Sequence, residues 1–171
     1  MSARPVFEDL VEWYSAEIFA YVWRLTRDPQ DAEDCLQESF ARAFKAFDRL
    51  NGNANARAWL YRIATNTTFT FLKKRRHQNG RIVELDLNLA SPGDGPAEAA
   101  SRRETLAAVA RAVEGLPARQ QAALVMRKYQ ELSYPEVAQA LGCSEDAARA
   151  NVYQALKSLR GSLESHFDGQ G

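Results

Sequence analysis

Four carboxylates crowd the start of one predicted helix, Asp31, Glu33, Asp34 and Glu38, with the amide of Gln37 among them. Carboxylates grouped this way can hold a divalent metal, move protons, or dock on a basic surface. Metal-assisted hydrolysis would want a nitrogen ligand nearby, and the chain has only His77 and His166, both remote from the group in sequence. The helix dipole favours acids at this end whatever their use. Asp31, Asp34 and Glu38 nevertheless recur at i, i+3 and i+7 on one helix face, more like charge than capping requires. On charge alone an ordinary solvated face is the plainer reading, and docking stays open beside it.

A second group has the opposite sign. Between residues 51 and 80 the chain carries Arg57, Arg62, Lys73, Lys74, Arg75 and Arg76 and no acid, a pattern suited to phosphate contacts. The run from Lys73 to Arg76 would also serve as an ordinary solvated helix end. Gly52, Asn53, Ala54 and Asn55 place short amides on a turn, and Asn66 adds another amide on the helix that follows. Each amide offers a donor and an acceptor, and Asn66 among Ala64, Thr65 and Thr67 also reads as a merely exposed residue. A third group lies near the end of the chain: Ser144, Asp146, Arg149, Ala150, Tyr153, Gln154, Lys157 and Arg160 contain base and phosphate readers for duplex DNA.

The elements that carry these groups are helices. Leu10, Val11, Tyr14, Ile18, Tyr21, Val22 and Leu25 recur at helical spacing, and Asp28 with Pro29 caps a second helix through Ala32, Cys35, Leu36, Phe40, Ala43, Phe44 and Phe47 to near Leu50. A third helix runs from Trp59 through Ile63, Thr67 and Phe71 to near Gly80, with Trp59, Phe69 and Phe71 on its core side. Turn residues then dominate, including Asn79-Gly80, Ser91-Pro92-Gly93 and Gly95-Pro96. From Arg102 a further helix stops before Leu116-Pro117, and another is centred on Ala122 to Met126. Ser133 and Glu136 have capping-box spacing, Gly142 marks a turn, and Ser144 caps a last helix with the apolar stripe Ala148, Val152, Ala155, Leu156 and Leu159. Short helix, glycine turn and capped longer helix make a helix-turn-helix. The expected fold is all-α, with two small helical domains at 1–80 and 102–171 and a flexible linker at 81–101.

Composition narrows the class. A hydrophobic fraction of 46% supports real cores, while no run approaches the roughly 20 apolar residues of a membrane span and the N-terminus lacks the apolar stretch of a signal peptide. The cytoplasm is the expected location. Cys35 and Cys143 stand apart and read as small apolar core residues, so no metal and no cofactor is expected. Net charge is zero, yet residues 1–50 hold ten acids against six bases, whereas 51–80 are purely basic. One domain thus has two opposite faces.

Three segments together resemble the extracytoplasmic-function sigma family. Asp31 to Phe44 is similar to its polymerase-docking helix, Trp59 to Asn66 to the start of its promoter-melting helix, and Leu116 to Gln121 through Leu141 to Ser144 to its C-terminal helix-turn-helix. The resemblance implies a non-enzymatic subunit whose partners are core RNA polymerase, through the clamp coiled coil and the flap, and promoter DNA, with an anti-sigma factor as a further candidate. It implies that Asp31, Glu33, Asp34, Gln37 and Glu38 dock on polymerase. It also assigns Gly52 to Asn55, Arg57, Trp59, Arg62, Asn66 and Lys73 to Arg76 to the minus-ten element, and the last helix to the minus-thirty-five element. In that last helix Asn151, Gln154 and Leu156 stand where the family commonly has basic residues. A two-domain helix-turn-helix regulator acting without polymerase is the alternative.

Overall fold

Side-chain caps decide where most of the helices begin. The computed structural model describes residues 3–52, 54–79 and 95–169. The first helix, α1 (Phe7–Thr26), opens where the Asp9 carboxylate accepts the Val6 N–H at 3.0 Å. It closes on Arg27, a non-glycine residue in the left-handed region at φ 57°, whose N–H bonds the Trp23 carbonyl at 2.7 Å. That conformation is strained for a side-chain-bearing residue. An ion pair with Glu114 at 2.9 Å helps hold Arg27 in place. Asp28 then accepts the Asp31 N–H at 3.0 Å and, with Pro29 in the first turn, starts α2 (Pro29–Ala46), which a single turn over Phe47–Arg49 extends. Asn55 accepts the Ala58 N–H at 3.0 Å and starts α3 (Ala56–Asn79).

Beyond residues 80–94, which lie outside the described residues together with most of the expected linker, α4 spans Pro96–Glu114. Its start corrects the expectation that residues 96–101 belong to the linker and that a helix begins at Arg102. Pro96 sits at the first helical position, where its missing N–H costs nothing, and Ala97 to Ala100 propagate the turn. Leu116 and Pro117 separate α4 from α5 (Ala118–Lys128). Ser133 and Glu136 close the expected capping box at the head of α6 (Tyr134–Leu141), Gly142 takes the left-handed conformation at φ 65°, and Ser144 accepts the Ala147 N–H at 3.1 Å to start α7 (Glu145–Asp168). Replacing Ser133 with Ala should lower stability by about 1 kcal/mol in urea denaturation. Glu136→Gln should cost less, since glutamine also closes the box.

Helices α1, α2 and α3 pack on one another around Leu10, Ile18, Tyr21, Cys35 and Tyr61, and α4, α5 and α6 pack with α7 around Met126, Val137, Ala148 and Val152. The two groups are not isolated. Contacts of α3 with α6 and of α1 with α5 join most of the buried side chains into one cluster. Cys35 is in that core and Cys143 packs against it, as expected of both. Phe44 and Leu156, placed on core stripes by their spacing, are instead 64% and 42% exposed. Phe44 keeps an edge-on contact with Phe7 at the start of α1 but is otherwise open to solvent.

Candidate functional site

On α2, Glu33, Asp34, Gln37 and Glu38 are exposed. Asp31 is not their equal. It is partly buried and ion-paired with Arg75 at 2.7 Å, while Arg75 also donates to the Thr26 carbonyl at 3.3 Å. Burial raises the Asp31 carboxyl above its usual range even though Arg75 pulls the other way, and the charges of Asp28 and Asp34 add to the rise. Asp31 and Arg75, expected to meet two different partners, are thus brought together as a tie between α2 and α3. Glu38 pairs with Arg42 at 2.8 Å, a bond that lowers its carboxyl, and Asp34 accepts from Gln30 at 3.1 Å. Exposed Phe44 completes the face, since Glu33, Gln37, Ala41 and Phe44 follow at steps of four, four and three. Its helical spacing resembled that of a core residue, which concealed it.

Gly52, Ala54 and Asn55 are exposed on the loop before α3, and Asn53 lies outside the described residues. Asn55 uses its oxygen to cap α3 and its amide N–H to reach Glu136 of α6 at 3.1 Å. Arg57 lies among acids from both halves of the chain. It meets the Glu17 carboxylate at 2.9–3.1 Å, donates to the Gln130 carbonyl at 2.8 Å, and has Glu136 at 3.7 Å. Tyr61 donates to Glu17 at 2.7 Å and accepts from the Gln130 amide at 2.9 Å, while that amide also reaches the Glu17 carbonyl at 2.8 Å. The Glu17 bond pushes the Arg57 guanidinium up. Burial works against charge on Glu136, but bonds from Ser133 and Asn55 and the Arg57 charge leave its carboxyl low. Glu17 and Gln130 gave no signal in the sequence because their partners lie 40 to 113 residues away.

Arg62 is exposed yet close to the helix-turn-helix, its guanidinium nitrogen 3.7 Å from where a Cβ on Gly142 would stand. Trp59 is partly buried against the core, and Phe69 and Phe71 pack with it, whereas Asn66 is exposed. Lys73, Lys74 and Arg76 are exposed at the far end of α3. Lys73 and Arg76 edge a cavity of about 350 Å³ between α1, α3 and α5.

On α7, Asp146, Arg149, Ala150, Tyr153, Gln154, Lys157 and Arg160 are all exposed, opposite buried Ala148, Val152 and Ala155. Ser144 is spent as the helix cap. Arg149 pairs with Glu145 and lies 4.4 Å over the Tyr134 ring, so a partner must draw it away from both. Asn151 donates to the Ala147 carbonyl and turns inward. Among the described residues no group of His, Cys, Asp and Glu could hold a metal, and no helix is long and apolar enough to cross a membrane.

This geometry meets known proteins at the level of both sequence and fold. Residues 10–78 match the family described as sigma-70 region 2, and residues 106–159 match sigma-70 region 4. The ECF RNA polymerase sigma factor SigG of Mycobacterium tuberculosis is 32% identical over 92% of this chain, which spans only 48% of that relative's length. The RNA polymerase sigma-H factor of Pseudomonas aeruginosa is 29% identical over 94% of this chain and 88% of its own. Among solved structures, the sigma factor RpoE of Bartonella quintana, crystallised with the anti-sigma factor NepR, shares the fold with a TM-score of 0.70 at 21% identity, covering 92% of this chain and 96% of that one.

Proposed function

The chain belongs to the sigma-70 family, in its extracytoplasmic-function group, and from that premise we propose that it binds core RNA polymerase and directs it to promoters with separate minus-ten and minus-thirty-five elements. It acts by binding, not by catalysis, and works in the cytoplasm beside the polymerase. The observation that carries this reading is the order of three surfaces along one chain. An acidic exposed face on α2 comes first, then amides and cations around the start of α3, then the polar face of α7.

In this mechanism Glu33, Asp34, Gln37, Glu38 and Phe44 meet the basic clamp coiled coil of the polymerase. The helix α7 enters the major groove of the minus-thirty-five element with Arg149, Tyr153 and Lys157 foremost. Asn66 and the loop at 52–55 take up a minus-ten base as the strands part. No hydrolysis is needed, because contacts with the flipped base offset an unpairing cost of a few kcal/mol. In this reading the docking and melting unit is 1–80 and the duplex-reading unit runs from α4 onward, with an anti-sigma factor as the candidate regulator.

In vitro transcription with core polymerase on a library of random upstream sequences tests the whole reading. Enrichment of two short motifs separated by about two helical turns is the expected result. Transcripts that start without any shared upstream motif would overturn it.

A further inference from the structure

The cavity of about 350 Å³ between α1, α3 and α5 has an apolar floor and a basic rim. Leu25, Phe69 and Leu72 form most of the floor, and no carboxylate is among the lining residues. On the rim, Lys73 and Arg76 lie three residues apart on α3, so one small group can meet both. Arg75 between them is spent on Asp31 at 2.7 Å, whereas Lys73 and Arg76 are exposed and form no ion pair among the described residues. Gln121 stands at the wall, only 8% exposed, and its side-chain amide has no hydrogen-bond partner among the described residues. A buried amide left unpaired is costly, and a polar group inside the cavity would meet it. Helix α5 also begins at this wall, at Ala118, with no side-chain cap, so the positive end of its dipole adds to the basic rim.

We propose that this cavity binds a small amphipathic anion, with its acidic head between Lys73, Arg76 and Gln121 and its apolar body against Leu25, Phe69 and Leu72. An apolar lining with a few convergent polar groups is the usual make-up of a small-molecule site. Size bounds the ligand: a cavity of roughly 150 Å³ takes benzene, so this one takes about a dozen non-hydrogen atoms. Charge selects the head. A cation would be repelled by the rim, and a neutral group would forgo the charge-assisted bonds that Lys73 and Arg76 can donate. Binding at this site goes beyond the promoter reading and does not rest on it.

The test is titration calorimetry on the full chain at low salt, with naphthalene-2-carboxylate as the probe and naphthalene-2-carboxamide as its neutral match in size. The carboxylate should bind one site per chain with a Kd on the order of 100 µM, and the carboxamide about tenfold more weakly. Lys73→Gln together with Arg76→Gln should remove that tenfold preference and leave the carboxamide's affinity as it was. Lys45→Gln with Lys74→Gln takes the same charge from exposed residues outside the cavity and should leave both affinities near the unaltered values. Absence of saturable binding up to about 2 mM would overturn the proposal. Equal binding of the two probes would overturn it as well, leaving an apolar cleft of the kind a partner's uncharged side chain fills. So would a preference for the carboxylate that survives the loss of Lys73 and Arg76, or one that the control pair loses equally. Neither polymerase nor DNA takes part in these measurements, so failure of promoter-directed transcription would overturn the proposed function and leave this result standing.

Discussion

Asp34→Lys should weaken binding to core polymerase by about 2–4 kcal/mol, a thirtyfold to thousandfold loss, while helical content and unfolding midpoint stay near their original values. Asp34 is exposed on α2, so reversing its charge opposes a basic partner without disturbing the core. Asp31→Lys should behave differently. It would face Arg75 across a partly buried contact, and the expected damage is to folding, about 1–3 kcal/mol by denaturation once partial exposure is allowed for. Phe44→Ala should lower polymerase affinity about tenfold with a smaller cost in stability, because the ring is mostly exposed although it meets Phe7 edge-on at 5.2 Å. Competition binding at moderate salt separates these effects. Unchanged affinity for Asp34→Lys would remove α2 from the docking role.

Asn66→Ala should leave the holoenzyme's grip on closed duplex nearly intact and reduce strand opening tenfold to a hundredfold, since a good base contact is worth about 1–3 kcal/mol. The side chain is exposed on α3, whereas Arg149 and Lys157, exposed on α7, are the proposed duplex readers and should lose closed-complex affinity when truncated. Permanganate footprinting reads the opening, with binding measured in parallel on promoters varied at each minus-ten base. A template already mismatched over that region should restore opening to the variant without restoring its preference for one base. Equal loss of affinity on all promoters, with every base preference unchanged, would make Asn66 a structural residue.

Much of this was legible in the chain because helices announce themselves locally. Asp28, Ser133 and Ser144 cap the helices they were expected to cap, and the apolar periods gave the buried faces of α1, α3 and α6. Start points failed where local signals were weak: α4 begins at Pro96 because proline suits a first turn as well as it suits a loop. The proposed docking face was only half legible. Its charges stood out, but spacing alone could not say that Asp31 turns toward Arg75, 44 residues away, or that Phe44 turns outward. The loop was read least completely, since Asn55 and Arg57 take their partners from helices distant in sequence. Residue type shows what a side chain can bond, and only the packing of α3 against α6 shows what it does bond.

Burial gives the two thiols of this chain different reactivity. Cys35 is 2% exposed, and that burial, with the charges of Asp31 and Asp34 adding to it, pushes its thiol up to about 11. At neutral pH only about one molecule in ten thousand would carry the reactive thiolate even if a reagent could reach it. Cys143 is partly exposed at the turn before α7. Alkylation of the native chain therefore stops at one adduct, and a second adduct can form only as fast as α2 lifts away from α1 and α3. The slow step of that titration is a clock for the opening of the N-terminal helices, built into the natural sequence with no label added.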